Sequence, residues 1–389
     1  MTTTINNEHK KLNVPNLRFP EFKGEWEELG LSELLDFKNG LNPKPDKFGK
    51  GIKFISVMDI LNNAVITYDC IKASVDVTEK ELSDFSVEKG DMLFQRSSET
   101  LEDVGRANVY MDDKTAVFGG FVIRGKKKGE YDPQYFNYLL RSPFARKRII
   151  PMGAGAQHFN IGQEGLSKVK LHFANIEEQK KIGKMLSLLD ERIATQNKII
   201  EDLKKLKSAI SEKLFKAVKG DVIMLSEICE IFKGKQINGE FLSEKGKYYV
   251  MNGGTEPSGY YNNYNVEANT ISISEGGNSC GYVQFNTSPF WSGGHCYTIQ
   301  NIVRGVDNLY LYHYLKSEED SIMKLRIGSG LPNIQKKDLA MFKIKIPPTE
   351  QQKTISTFLS SLERKTEIEE HILNAIQKEK QYILRQMFI

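Results

Sequence analysis

The stretch NIEEQKKIGKMLSLLD, residues 175–190, returns in altered form as PTEQQKTISTFLSSLE, residues 348–363. The copies run at a constant offset of 173: Asn160-Ile161 falls on Asn333-Ile334, Glu177 on Glu350, Gln179-Lys180 on Gln352-Lys353, Leu186 on Leu359 and Phe215 on Phe388. Further upstream, LSELLDFKNG (31–40) matches LSEICEIFKG (225–234) at an offset of 194, so the segment between is 21 residues shorter in the second copy. Such a chain must build one frame twice, with the ends of each copy alike and the middles free to differ. Duplicated frames with unlike interiors point to one job done on two targets. The implied organisation is a flexible N-terminal tail (1–17), a first globular domain (18–174), a first long helix (175–219), a second globular domain (220–346) and a second long helix (347–389).

Each repeated stretch opens a helix with a coiled-coil seam. At strict 4-3 spacing from residue 182 the first helix places Ile182, Leu186, Leu189, Ile193, Ile200, Leu203, Ile210 and Leu214, with Gln196 and Lys207 as polar interruptions. The offset copy gives Ile355, Leu359, Leu362, Leu373, Ile376, Ile383 and Met387, interrupted by Thr366, Glu369 and Lys380. Single polar seam residues can fix register at some cost in stability. Roughly 40 residues at ~1.5 Å each make a helix of about 60 Å. Two such helices, paired antiparallel, are expected to hold the globular domains apart under an approximate two-fold.

Composition excludes several classes. A length of 389 residues with 40% apolar and 27% charged residues suits a globular protein of two or three domains. No run of eighteen apolar residues exists to span a membrane, and MTTTINNEHKKLN lacks the apolar core of a secretory signal, so the expected compartment is the cytoplasm. Cys70, Cys229, Cys280 and Cys296 form no C-x-x-C pair and are expected to be reduced thiols. The net charge of +4 is concentrated in 176–220; residues 1–175 carry +1, 221–346 carry −1 and 347–389 carry none. A protein that coats nucleic acid shows a much stronger basic balance, so any DNA contact here must come from local clusters.

Strand-like runs such as IKFISVMDI, DMLFQR and TAVFGGFVIRG in the first half, and NTISISEGG and CYTIQNIV in the second, alternate with turns and one helical stretch each, which predicts two α+β domains with twisted sheets. Gly119-Gly120 corresponds to Gly293-Gly294. The opening LRFPEF-x-GEW, the two-domain, two-helix duplication and the run from NI through P-x-EQ into a long helix together resemble the DNA specificity subunit of a Type I restriction-modification system. The resemblance covers essentially the whole chain. It implies two target recognition domains separated by two long antiparallel coiled-coil helices, each domain reading one part of a split double-stranded DNA site. It also implies two copies of a modification (methyltransferase) subunit docked on this chain, with restriction (nuclease-translocase) subunits joining through them. S-adenosylmethionine, ATP and Mg²⁺ would then belong to those partners, and this chain would hold none.

Phosphate contacts position a protein on DNA and base-edge contacts specify the sequence, so the candidates are basic clusters and polar loops. In the first domain FQRSSETLEDVGRAN offers Arg96, Ser97, Ser98, Arg106 and Asn108. Arginine suits guanine and asparagine adenine. Lys126, Lys127 and Lys128 are expected to form a basic turn, and Arg141, Arg146, Lys147 and Arg148 decorate the next helix, so residues 124–150 carry +6. MGAGAQHFN (152–160) presents Gln157 and His158, and its counterpart IGSGLPN presents Ser329 and Asn333. The second domain adds Lys235, Gln236 and Asn238, then Tyr261, Asn262 and Asn263, then Ser274, Asn278 and Arg326, with Glu275 able to accept from cytosine. Each cluster could equally be a solvated face or hairpin.

Two rival readings differ in class. A self-contained adenine methyltransferase would need a D-P-P-Y box, but Asp132-Pro133-Gln134-Tyr135 lacks the second proline and suits a helix cap. GAGAQH does not complete a glycine-rich nucleotide turn, no G-x-x-x-x-G-K-[ST] loop exists, and His295 beside Cys296 reads as a buried pair. A coiled-coil scaffold without DNA reading would account for the helices but not for two large divergent domains.

Overall fold

The computed structural model describes residues 13–328, 330 and 332–389. These form two units, one of residues up to Gln196 with Ile372–Ile389, the other Asn197–His371. Each unit therefore holds one globular domain and one end of each long helix, Ile176–Ala217 and Thr349–Gln386.

The two domains share one sheet topology. In the first unit an antiparallel sheet runs in the order Leu35–Asn39, Val122–Lys127, Met92–Gln95, Ala107–Val109. In the second the order is Glu230–Lys233, Cys296–Gln300, Thr270–Ser274, Val283–Asn286, the same permutation. A second small sheet in each domain holds one parallel pair, Phe54-Ile55 with Val117-Phe118 and Val250-Met251 with Trp291-Ser292. At the base of each domain the first strand meets the last, Glu27–Gly30 with Lys170–Phe173 and Asp221–Met224 with Lys343–Ile346. The repeated LSE that follows is a short helix whose glutamate returns to the backbone before it: Gly30 N donates to Glu33 at 2.6 Å and Met224 N to Glu227 at 2.7 Å.

The repeated letters at the helix starts are contacts between helix and domain. Asp132 caps Pro133–Arg141 by accepting from Tyr135 N, and Asp307 caps Asn308–Ser317 by accepting from Tyr310 N. Each cap is held in turn by the repeated glutamine. Gln179 accepts from Asp132 N at 3.0 Å and donates to Ala174 O at 2.8 Å; Gln352 accepts from Asp307 N at 2.8 Å and donates to Pro347 O at 2.8 Å. Both glutamines are buried, so these four bonds satisfy groups that water does not reach. In the first unit Glu178 is fully buried as well and takes a bidentate pair from Arg18 at 2.8 Å, which gives the LRFPEF opening its structural role.

The far end of each helix closes the other copy's core. Phe388 packs with Trp26 and Tyr135 at ring separations of 6.4 and 5.6 Å, and Phe215 packs with Tyr310 and Tyr314 at 5.7 and 5.2 Å. In the first unit Ile182 and Leu186 share one core with Met387 and Phe388, and in the second Phe215 shares one with Ile355 and Leu359. A helix start against a helix end is antiparallel pairing, as the seams predict. No seam position in either helix is exposed. Two of the polar interruptions are now accounted for. Lys207 pairs with Glu363 at 2.6 Å, and Lys380 pairs with Asp190, each acid also accepting from a domain tyrosine, Tyr312 at 2.9 Å and Tyr138 at 2.6 Å. The half-buried lysines thus tie the opposite helix and the domain at one register.

Candidate nucleic-acid interface

In the first domain Met92–Gln95 leaves the sheet into Arg96, Ser97 and Ser98. Ser97-Ser98 then pairs with Phe159-Asn160, Ile161 N donates to Arg96 O at 2.9 Å, and Ser97 bonds the Asn160 side chain. The Arg96 loop thereby lies against the loop that exposes Gln157 and His158. The second domain repeats this backbone: Ile334 N donates to Glu275 O at 2.8 Å, Gly276 bridges Asn333, and Asn333 bridges Ile327 as Asn160 bridges Ala154. Asn278 and Arg326 are exposed beside it, while Ser329 lies outside the described residues. In each domain, loops distant in sequence form one polar surface.

Matching backbone bonds also align positions that the letters do not. Arg96 N donates to Phe121 O at 2.8 Å, and Glu275 N donates to His295 O at 2.9 Å. Arg96 and Glu275 therefore occupy one place in the frame with opposite charge. Arg96 is half-buried, with a guanidinium bond to Gly120 O at 3.3 Å. Glu275 is buried; one oxygen accepts from Lys233 at 2.5 Å and from the Tyr297 hydroxyl at 2.9 Å, and the other faces His295 Nδ1 at 3.7 Å. Burial, and then this carboxylate, push the Tyr297 hydroxyl far above its usual range, so it stays a donor. His295, expected in a buried pair with Cys296, is exposed; Cys296 is buried, and that burial pushes its thiol up to about 11. It is an inert core thiol.

Close backbone approach explains the Gly-Gly pairs that precede Phe121 and His295. A Cβ on Gly40 would lie 2.0 Å from Gly119 O, and one on Gly234 would lie 2.2 Å from Gly293 O. The second glycine of each pair lies under a polar side chain, Asn42 over Gly120 and Gln236 over Gly294. Gln236 was legible in the sequence as a surface group; Asn42, Phe121 and His295 were not, although the matched Gly-Gly pairs mark the same spot.

Residues 23–205 and 218–378 each match the family described as the Type I restriction modification DNA specificity domain. The chain belongs to this family. It is 26% identical to a Methanocaldococcus jannaschii protein named "Putative type I restriction enzyme MjaX specificity subunit", over 97% of this chain and 96% of that one. A Mycoplasma pneumoniae protein named "Putative type I specificity subunit S.MpnORF638P" is 35% identical over 37% of this chain and 38% of its own. Among solved structures, the Type-I restriction-modification S subunit of M. genitalium shares the fold with a TM-score of 0.66 at 20% identity, covering 97% of this chain and 99% of that one.

A Type I specificity subunit recognises and does not catalyse, and the former enzymatic candidates have structural duties here. Asp132 and Pro133 cap a helix, and among the described residues no group of three His, Cys, Asp or Glu side chains could hold a metal ion. No described helix is long and apolar enough to cross a membrane. Several candidates for DNA contact in this specificity subunit also need correcting. Asn108 is fully buried, donating to Ile60 O and Asn63 O and accepting from Val109 N, so nothing is left for a base. Ser274 is buried and donates to Gly253 O at 2.6 Å. Arg146 donates to Glu102 O and Val104 O beside Arg106 and Arg141 in a cavity of about 400 Å³, and burial, with Arg106 adding to it, lowers its pKa to about 10.

The remaining candidates fall in two places. Lys126 and Lys127 end the strand Val122–Lys127 and are not in a turn; that end lies ~17 Å from the Arg96 loop at ~3.3 Å per residue. Lys126 pairs with Glu88, Lys127 donates to Tyr131 O, and Lys128 pairs with Asp36. Arg106 is exposed and paired with Asp103 at 2.5 Å. In the second domain Lys235 O accepts from Trp291, whose ring meets Tyr261 edge-on at 5.2 Å, and Asn262 and Asn263 are exposed just beyond. Asn238 caps the turn Gly239–Phe241.

Proposed function

We propose that this specificity subunit reads a split double-stranded DNA site, each domain one half, and docks two modification subunits, through which restriction subunits join, in the cytoplasm. What supports the reading is the Arg96–Glu275 equivalence: one backbone frame, built twice, holds an arginine in one domain and a buried glutamate paired with Lys233 in the other at the same place, beside loops of unlike side chains. Arg96, Ser97, Ser98, Gln157 and His158 contact the first half-site, with Arg106 and Lys126–Lys128 on phosphates. Lys235, Gln236, Asn238, Tyr261, Asn262, Asn263, Asn278, Arg326, Ser329 and Asn333 serve the second. Asn108, Ser274 and Arg146 hold the loops in shape. S-adenosylmethionine, ATP and Mg²⁺ are handled by the partners. Bases are recognised in the groove, and half-sites about one helical turn (~34 Å) apart face one side of the duplex.

The test is to exchange residues 31–160 for those of a relative and map methylated adenines in cells carrying the assembled system. The expected result is a change in one half of the recognised sequence with the other half and the spacer intact. Change in both halves, or in neither, would overturn the reading.

A further inference from the structure

We infer that the residue following each Gly-Gly pair, Phe121 in the first domain and His295 in the second, contacts a base in its half-site. This deepens the proposal above and rests on it. Phe121 leaves 68% of its surface exposed although it sits between buried strands. Phe121 is the most exposed phenylalanine among the described residues, and its backbone is fixed on both sides. Its carbonyl accepts from Arg96 N, and Val122 begins a strand paired to Gln95. The ring therefore projects beside Arg96 from a rigid edge.

The second domain holds an independent copy of the arrangement. His295 follows Gly293-Gly294, accepts from Glu275 N through its carbonyl, and donates its own N–H to Asn252 at 3.1 Å. Its side chain is 61% exposed and faces the buried Glu275 carboxylate, whose Oε2 has no hydrogen-bond partner among the described residues. Two domains with unlike middles thus both place an exposed ring beside an ionisable group at a surface position whose backbone is held by hydrogen bonds.

The chemistry of the two rings differs as a pair of readers should. Phe121 borders an apolar hollow of about 410 Å³ lined by Pro43, Phe48, Phe54 and Met58, with Phe48 and Met58 themselves exposed. An apolar edge next to an arginine suits the methyl group of a thymine adjacent to a guanine that Arg96 reads. His295 offers a ring nitrogen to a base edge, with Nδ1 3.7 Å from the Glu275 carboxylate.

The test uses the full chain assembled with its modification subunit, with methylated sites mapped for Phe121→Ala, Phe121→Leu, His295→Ala and Arg96→Ala. F121A should relax preference about tenfold at one base pair of the first half-site, next to the pair that R96A relaxes, with the second half unchanged. F121L should retain most of that preference. H295A should relax one base pair of the second half only. The inference is overturned if F121A and H295A leave both halves as they were while R96A does not, or if they weaken assembly with the modification subunit and leave base preference intact. If the exchange of residues 31–160 alters no half-site, the underlying reading has failed; if that exchange works and the ring variants are silent, only this inference has.

Discussion

Phe388 follows the last turn of the second long helix, and its ring is 1% exposed between Trp26 and Tyr135. Phe388→Ala removes a buried phenyl group that the first unit cannot replace, because Tyr135 is fixed by its own bond to Ala174 N. Such a deletion costs about 3–5 kcal/mol, transfer and cavity terms together. At ~1.4 kcal/mol per factor of ten, amides protected only by opening of the first unit should exchange about 10²- to 4 × 10³-fold faster. Hydrogen exchange read by mass spectrometry resolves this directly. The peptides covering Pro133–Arg141 and Lys170–Phe173 should accelerate, and those covering Asn308–Ser317 and Lys343–Ile346 should not. Phe215→Ala should produce the mirror pattern. A rise below about tenfold, or one shared equally by both sets of peptides, would refute the argument that each helix end closes the core of the other copy's domain.

Two further outcomes follow from buried groups. Gln179→Ala strands Asp132 N–H and Ala174 C=O without partners and should cost about 2–4 kcal/mol in the first unit, with Gln352→Ala doing the same in the second; an effect under about 0.5 kcal/mol in denaturant titration would show that water replaces the amide. His313 is 2% exposed, bonded to Ser360 through Nε2, with Asp307, Glu363 and Lys207 around it, and burial lowers its pKa to about 4. The folded state disfavours the charged ring, so its contribution is intact above pH 6.5 and is lost as pH falls toward 4, up to about 3 kcal/mol. Acid should therefore destabilise the wild type more than His313→Phe between those pH values, and parallel stability curves would reject the assignment.

The frame was legible because its repeated letters make its contacts. The seam positions are all shielded, Gln179 and Gln352 clamp caps, Glu33 and Glu227 close turns, and Phe215 and Phe388 end in cores. Periodicity and offset report such residues well, since a contact that must be made twice in the same geometry constrains side chain and spacing together. The candidate reading surface was legible only in part, for a different physical reason. Asn108 and Ser274 are polar residues in strands covered on both faces, and polarity alone does not tell a base reader from a side chain that binds its own backbone. Phe121 fails in the opposite sense, because residue type sends phenylalanine to the core.

Alignment by letters could not repair this. The offset between copies is 194 near the first strand and 173 at the helices, but 179 between Arg96 and Glu275 and 174 between Phe121 and His295. Each change of offset is a loop that has lengthened or shortened while the hydrogen bonds on either side stayed in register. The backbone bonds identify equivalent places where the sequence has lost count. On the proposed function those are also the places where the two domains have to differ: a position fixed in space by Gly-Gly contacts and strand pairing can change its side chain while the backbone bonds around it stay the same, so the two domains carry Arg and Phe in one, Glu and His in the other, within the frame they share.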